Sequence, residues 1–276
     1  MARSIRHGVL GTILGAIKFI VFLGLILIQL PIIFVVPRGR LSVAYMRLFM
    51  RTVIAVAGIR VRVHGKLDPR RPLMVIGNHI SVFELVTIPV ALGGSFFGKI
   101  DIASWPLIGW ISKKFGVIFV DRRPSHAMDA LRVVRDEMAR VSYPMFLFPE
   151  GTTTNGAYVK CFKSTLFNVV EESSIVVQPM TIHYRRRDGT PISDTDMAVH
   201  YAYFNNAKQD KGPYAPVERN LVSQVFHIMV IGGFMVEINL MPAPDLTGMN
   251  RKQMALALHQ IVSNKYMELK DKRYEK

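Results

Sequence analysis

The N-terminal fifth of the chain has one hydrophobic pattern, and the rest of the chain has another. Residues 19–36 read FIVFLGLILIQLPIIFVV, an apolar run with Gln29 as its one polar side chain. That length just suffices to cross the hydrocarbon core of a bilayer as a helix. The following LSVAYMRLFMRTVIAVAGI places Arg47 and Arg51 at helical spacing on an apolar stretch, which is typical of an amphipathic interfacial helix. We therefore predict membrane-anchor helices over 1–59, either spanning or forming a hairpin within one leaflet.

Beyond the anchor, short aliphatic runs alternate with longer helical patterns. The runs are rich in β-branched or aromatic residues and end at a turn or polar residue, as buried strands do. They are LMVIG (73–77), GVIFV (116–120), MFLFP (145–149), SIVVQP (174–179) and FMVEINL (234–240). Apolar residues at helical spacing predict a helix over 126–141. This alternation predicts an α/β domain over 60–276 with a mostly parallel sheet flanked by helices.

Two segments of this domain carry few apolar residues. Residues 185–220 begin RRRDGTPISD, are polar and turn-rich, and predict a long loop or lid over the sheet. The charged C-terminal KYMELKDKRYEK predicts a solvated or frayed helix. Neither segment contributes an obvious strand.

The composition favours a membrane protein with acidic partners. The 276 residues carry a formal net charge of +15, and half of them are apolar. Positive charge attracts anionic lipid, nucleic acid or phosphorylated substrates. The high apolar fraction favours lipid, and the basic residues are spread along the chain without a recognisable nucleic-acid-binding module. Cys161 is the single cysteine, so no internal disulfide can form, which favours a reducing compartment.

Polar clusters follow three of the predicted strands at once. Asn78-His79 follows LMVIG, Asp121-Arg122-Arg123 follows VIFV, and Glu150-Gly151 with three threonines follows MFLFP. The carboxyl ends of parallel strands share one edge of a sheet, where ligands bind. We therefore expect a histidine, a cation and a carboxylate to converge there.

The stretch GNHISVFELV (77–86) has two interpretations. Ser81 and Glu84 match a capping box, in which the glutamate reaches back to a free backbone N–H at the start of a helix. Alternatively, His79 lies in the turn before the helix, and the Glu84 carboxylate fixes its tautomer so that the other ring nitrogen acts as a general base. One glutamate could serve both purposes in part, and a buried, hydrogen-bonded histidine without chemistry is the third possibility.

Other chemistries lack their sequence signatures. There is no H-E-x-x-H and no cysteine pair to suggest a metal site. The chain also lacks a G-x-S-x-G elbow, a phosphate-binding P-loop and a dinucleotide fingerprint. The histidine–glutamate pair is therefore the leading catalytic candidate.

Four segments resemble, in order and spacing, the motif blocks of the glycerolipid acyltransferase family, best known for the 1-acyl-glycerol-3-phosphate (lysophosphatidic acid) acyltransferases. They are NHISVFE (78–84), GVIFVDR (116–122), FPEGTTT (148–154) and VVQPM (176–180). The resemblance covers roughly residues 60–185. It implies transfer of a fatty acyl group from acyl-CoA or acyl-carrier protein to a lysolipid hydroxyl, with no metal or bound cofactor.

The resemblance also implies roles for single residues. His79 matches the family's general base, oriented by Glu84, and Arg122 matches a residue that binds the acceptor's phosphate. Lys99 is either a second cation at the site or a solvated surface lysine. The substrate-binding residues implied are Asn78, Ser81, Lys99, Arg122, Pro149, Glu150, Gly151 and Thr152.

Two departures from the family's pattern bear on the acceptor. Glu84 stands where the family usually has aspartate, and Thr153 stands where it often has arginine, which removes a possible phosphate contact. The simplest expectation is esterification of 1-acyl-glycerol-3-phosphate to phosphatidic acid. Lyso-ornithine lipid or another lysophospholipid is the alternative acceptor. A second alternative is that the chain is a non-catalytic lipid-binding membrane protein. The expected partners are membrane lipids, and the expected location is the cytoplasmic face of the inner or plasma membrane.

Overall fold

One mixed sheet carries the fold in the computed structural model, which describes residues 8–37, 39–105, 108–120, 127–171, 173–202 and 220–271. Its strands are β1 (Arg60–His64), β2 (Leu73–Gly77), β3 (Ser95–Lys99), β4 (Ile118–Val120), β5 (Met145–Leu147), β6 (Val176–Arg185) and β7 (Met235–Leu240). Their spatial order is β1-β7-β6-β2-β5-β3-β4. Neighbouring strands are parallel except β6 and β7. The predicted, mostly parallel α/β sheet is confirmed.

The strands that the hydrophobic runs predicted are mostly buried, although β4 lies at an edge of the sheet. All five residues of β2 are buried, because helices and loops cover both faces of the sheet there. Three of the other four runs contain β4, β5 and β7, and the fourth, SIVVQP, covers the first part of β6. β1 and β3 were not predicted from the sequence. β1 reads RVRVH and lies at the sheet edge with most of its side chains exposed, so it has no continuous apolar run.

Helices pack around this sheet. They are α1 (Val9–Val35), α2 (Arg40–Ala57), α3 (Glu84–Leu92), α4 (Ile100–Ala103), α5 (Ile108–Lys114), α6 (Ala127–Arg140), α7 (Asp194–Asp196), α8 (Leu221–Val230) and α9 (Arg251–Asp271). The helix predicted over 126–141 corresponds to α6. The predicted N-terminal helices correspond to α1 and α2.

Helix α1 is long and apolar enough to cross a membrane, and no other helix in the described ranges meets that criterion. Large apolar side chains are exposed along most of its length. Near its start, Gly15 is buried against the end of α8, where an added Cβ would lie 2.8 Å from the Cα of Val230. A larger residue at this position would push the two helices apart, so glycine permits their close packing.

The opposite end of α1 is fastened to α5. The buried ammonium of Lys114 donates hydrogen bonds to the carbonyl oxygens of Ile33 and Phe34, the latter at 2.8 Å. These carbonyls belong to the last turn of α1, where a cation is favourable. The Trp110 ring stacks on Phe34 with centroids 4.4 Å apart. The N-terminal helices are thus attached to the sheet domain at both ends of α1, while the division at residue 59 stays a prediction.

Two polar segments are more closely packed than their sequence patterns indicate. The first half of 185–220 contributes Ile192, Met197 and Tyr201 to the core; residues 203–219 lie outside the described part, and the predicted loop or lid over the sheet stays a prediction. The C-terminal helix is not fully solvated, because the side chain of Tyr266 is buried. In both segments isolated apolar side chains insert between polar neighbours, a pattern too sparse to give a clear periodicity.

Candidate active site

Asn78 fixes the backbone where β2 ends and the candidate site begins. Its side-chain nitrogen donates to the carbonyl of Ile182 at 2.9 Å, and its side-chain oxygen accepts from the N–H of Ile182 at 2.8 Å. The side chain is buried. These two hydrogen bonds join the end of β2 to β6, so the backbone that leads into His79 is held in place. The substrate-binding role predicted for Asn78 stays a prediction.

His79 and Glu84 are in direct contact. His79 Nδ1 lies 2.9 Å from Glu84 Oε2. The glutamate side chain is fully buried, whereas the histidine side chain keeps 17% of its surface exposed. The imidazole stacks on Phe148 with centroids 4.1 Å apart, which fixes its plane. A carboxylate at Nδ1 favours the tautomer with its proton on Nδ1, which leaves Nε2 as the basic nitrogen.

Glu84 also performs half of a capping box. Its two oxygens accept the N–H of Ser81 at 2.8 and 3.0 Å, as the reaching-back glutamate of that motif does. The other half is absent, because α3 begins at Glu84 and its N-cap, Phe83, makes no side-chain capping bond. The backbone of Ser81 therefore orients Glu84, and one carboxylate serves both purposes, as the sequence allowed. Substrate binding by Ser81 stays a prediction.

Tyr184 is a further partner of Glu84 that the sequence analysis missed. Its hydroxyl donates to Glu84 Oε1 at 2.6 Å, and the tyrosine is fully buried on β6. It lies 100 residues from Glu84 in sequence and outside the four motif blocks. The pairing of β6 with β2 brings the two side chains together.

Glu150 meets the histidine loop, which confirms the predicted convergence for these two clusters. β2 and β5 are neighbours, and the carboxylate after β5 accepts the N–H of His79 at 2.6 Å on Oε1. Its Oε2 accepts the N–H of Lys160 at 2.8 Å. The side chain is completely buried. Burial raises the pKa of Glu150 to about 8, even though the two N–H donors favour the ionised form.

The loop after Glu150 wraps around His79. Thr154 donates its backbone N–H to the carbonyl of His79 at 2.8 Å. Gly151 has φ +71°, which favours glycine, and an added Cβ would lie 2.7 Å from Lys163 Nζ. Lys163 in turn donates its backbone N–H to Pro149 at 2.9 Å. Thr152 lies on the same loop and is partly exposed. Acceptor contacts by Pro149, Glu150, Gly151 and Thr152 stay predictions.

Three basic residues are candidates for binding an anionic headgroup. Arg122 lies outside the described residues. For Lys99 the structure describes the backbone, which ends β3 beside Val120 at the same sheet edge. Lys163 was missed by the sequence analysis; it is exposed and makes no ion pair with any residue that the structure describes.

The far end of α9 also supports this loop. The Tyr266 hydroxyl donates to the carbonyl of Gly156 at 2.6 Å, and Lys270 Nζ donates to the carbonyl of Ala157 at 2.7 Å. Lys270 also pairs with Asp194 at 2.9 Å. No cluster of three His, Cys, Asp or Glu side chains suited to a metal ion occurs in the described ranges. The arrangement is suited to proton transfer at His79 Nε2.

Known proteins are similar to this chain in sequence. The family model described as Acyltransferase matches residues 60–183. The lyso-ornithine lipid O-acyltransferase of Pseudomonas aeruginosa is 32% identical over 163 residues, covering 56% of this chain and 61% of the relative. The 1-acyl-sn-glycerol-3-phosphate acyltransferase of Neisseria meningitidis is 26% identical over 141 residues, covering 50% of this chain and 55% of the relative. The chain thus spans less than two thirds of each relative.

One solved structure extends the comparison to nearly the whole chain. The crystal structure of the 1-acyl-sn-glycerophosphate (LPA) acyltransferase PlsC from Thermotoga maritima superposes with a TM-score of 0.62. The match covers 94% of this chain and 96% of that protein, at 16% identity. This similarity shows a shared fold. The family model identifies residues 60–183 as an Acyltransferase domain, and the relatives named above are similar to this chain in sequence.

Proposed function

We propose that the protein is a membrane-bound O-acyltransferase that moves a fatty acyl group from a thioester to the free hydroxyl of a lysolipid. The observation that carries the proposal is the 2.9 Å contact between His79 Nδ1 and Glu84 Oε2 at the carboxyl edge of the sheet. Nε2 of the same ring has no hydrogen-bond partner within the described residues. It is therefore available to an acceptor hydroxyl.

In this reaction the acceptor's proton moves to Nε2 and its oxygen attacks the thioester carbonyl carbon. The C–S bond breaks after the new C–O ester bond forms, and the imidazolium returns the proton to the leaving thiolate. Glu84 holds the Nδ1 proton and offsets the transient positive charge. Stacking on Phe148 keeps Nε2 aimed in one direction.

Lyso-ornithine lipid is the acceptor that the comparisons favour, ahead of 1-acyl-glycerol-3-phosphate. The lyso-ornithine relative is more similar, at 32% identity against 26% for the phosphatidic acid-forming one. Thr153 gives independent support, because an arginine suited to a phosphate often stands at that place in the resembled block. This order reverses the first expectation from the sequence.

The thioester donor is acyl-CoA or acyl-carrier protein, both of which are anionic. The net charge of +15 would attract either of them and would hold the chain on anionic lipid. The exposed apolar surface of α1 supports membrane anchoring. We place the site on the cytoplasmic face of the inner or plasma membrane, where such donors are available.

Thiol release from the donor tests the proposal. The detergent-purified full chain is given acyl-CoA, or acylated carrier protein in a parallel series, with lyso-ornithine lipid, lysophosphatidic acid or no acceptor. We expect acceptor-dependent release with a higher kcat/KM for lyso-ornithine lipid. A higher value for lysophosphatidic acid would restore the first expectation. Folded protein without acceptor-dependent release from either donor would favour a non-catalytic lipid-binding role.

Replacing Lys163 by methionine should weaken binding of an anionic acceptor. The ammonium lies beside Gly151 without an ion pair among the described residues, so an acceptor's carboxylate or phosphate can pair with it. We expect KM for the acceptor to rise about tenfold with kcat nearly unchanged, because a charge-assisted hydrogen bond contributes roughly 1.5 kcal/mol. Lys252→Met, at an exposed position on α9, is the matched control. Equal KM values for both variants would show that Lys163 does not bind the headgroup.

A further inference from the structure

The hydrogen bonds to Glu84 divide between its two oxygens. Oε2 faces His79 Nδ1 at 2.9 Å and the N–H of Ser81 at 2.8 Å. Oε1 accepts the Tyr184 hydroxyl at 2.6 Å, with the N–H of Ser81 at 3.0 Å and that of Ile80 at 3.4 Å. Tyr184 is thus the one side chain, in the part of the chain that is described, that binds the oxygen turned away from the histidine.

Tyr184 cannot easily leave this position. Its ring stacks on Phe234 with centroids 4.9 Å apart and an angle of 24° between the planes. Its backbone is paired with Val236 of β7, so the surrounding sheet fixes its Cα. Because both the strand and the ring are held, the hydroxyl presents a fixed donor to Glu84.

The donor also persists across the working pH range. Burial, together with the nearby charge of Glu84, raises the pKa of Tyr184 well above its ordinary value of 10. The hydroxyl therefore keeps its proton at neutral pH. Glu150 and Tyr266 are the other titratable groups whose charges act on Glu84 or Tyr184, and His79 lies on the far side of the carboxylate.

We propose that Tyr184 is a positioning residue of the acyl transfer, holding the Glu84 carboxylate so that Oε2 meets His79 Nδ1. The inference rests on the proposed function and extends it to a residue outside the motif blocks. It also gives a reason for glutamate at position 84. The longer side chain spans the gap between the Tyr184 hydroxyl and the imidazole, whereas an aspartate, one methylene shorter, cannot keep both contacts at these lengths.

Tyr184→Phe removes the hydroxyl and keeps the ring. We expect kcat to fall about tenfold, since a hydrogen bond to a charged group is lost, while KM for acceptor and donor stays within about twofold. The acid limb of the kcat/KM profile should move to higher pH. Without the Tyr184 donor, more negative charge remains on Glu84, and the imidazolium of His79 is held more strongly.

A double-mutant cycle separates positioning from packing. In a Glu84→Asp background, Tyr184→Phe should lower kcat by less than about twofold, because the shorter carboxylate has already lost its hydrogen bond to the tyrosine hydroxyl. Tyr201→Phe is the control, since it removes another hydroxyl from a buried tyrosine that packs on Phe234, with centroids 5.7 Å apart. It should leave kcat and the acid limb unchanged.

The outcomes distinguish this inference from the proposed function. If wild type transfers acyl groups and Tyr184→Phe matches it in kcat and acid limb, Tyr184 only packs, and the inference fails alone. Equal costs of Tyr184→Phe in both backgrounds would also overturn it. If wild type shows no acceptor-dependent transfer, the proposed function itself fails.

Discussion

Replacing His79 by alanine should lower acceptor-dependent thiol release by about 10²–10⁴-fold, the usual contribution of a positioned general base. Nε2 is the atom to which the acceptor's proton moves, and no second histidine contacts Glu84 within the described residues. The loss should fall on kcat, because the ring is not needed to hold the headgroup. Thiol release measured with saturating acceptor and donor checks this expectation.

The variant should remain folded, which makes the result interpretable. His79 is partly exposed, and Glu84 keeps its bonds to the N–H of Ser81 and the hydroxyl of Tyr184. His64→Ala, at an exposed position at the end of β1, is the control and should retain full activity. Transfer by His79→Ala within about tenfold of wild type would contradict a general-base role for this histidine.

The loop that carries His79 was predictable because the features that place it are local or follow from the order of the strands. LMVIG and MFLFP are continuous apolar runs, so β2 and β5 could be placed. Parallel strands put the residues after them at one edge. The resulting contact joins His79 and Glu150, which lie 71 positions apart. The contact between His79 and Glu84 requires only that a turn precede a helix, so it could be predicted from the local sequence.

The side chains that surround and support this loop were not predictable, because they come from distant segments with weak hydrophobic patterns. Tyr184 lies late in β6, past the last motif block, and looks like any aromatic residue in a buried strand. In the sequence Lys163 resembles any surface lysine, and only the folded structure shows that its ammonium lies beside Gly151. Tyr266 and Lys270 lie in a charged tail, yet they hold the loop after Glu150. Tertiary packing alone selects these side chains from many similar ones.

The capping-box question shows how two local interpretations can both hold in part. Sequence spacing alone cannot tell whether a glutamate binds a backbone N–H or a histidine, because both lie within reach of the first helical turn. The carboxylate of Glu84 binds both. The same carboxylate also accepts the hydroxyl of Tyr184, a contact that spacing within residues 77–86 could not reveal.

Replacing Glu150 by glutamine should lower kcat about 100-fold without removing any group that the proposed mechanism uses for proton transfer. Both carboxylate oxygens accept backbone N–H groups, from His79 at 2.6 Å and Lys160 at 2.8 Å. Either oxygen of the Glu150 carboxyl can accept a hydrogen bond in its ionised or its protonated form, whereas a glutamine must turn its amide NH₂, which cannot accept, towards one of these donors and so breaks that bond. The backbone of His79 then shifts, and a displacement of about 1 Å at a catalytic group can cost 10²-fold. Thiol release by Glu150→Gln checks this expectation, with Glu268→Gln on the surface of α9 as the control.

The same variant should alter how stability depends on pH. The pKa of Glu150 is about 8 in the folded chain and near its ordinary 4.5 when unfolded, so the folded state binds the proton more tightly. The resulting stabilisation is complete below about pH 4.5 and is lost as pH rises to about 8, on the order of 5 kcal/mol in all. Denaturant unfolding in detergent at several pH values should therefore show the stability of wild type falling, relative to Glu150→Gln, between pH 5 and 8. Parallel pH profiles for the two proteins would mean that Glu150 stays ionised in the folded chain, held by its two N–H donors against the effect of burial.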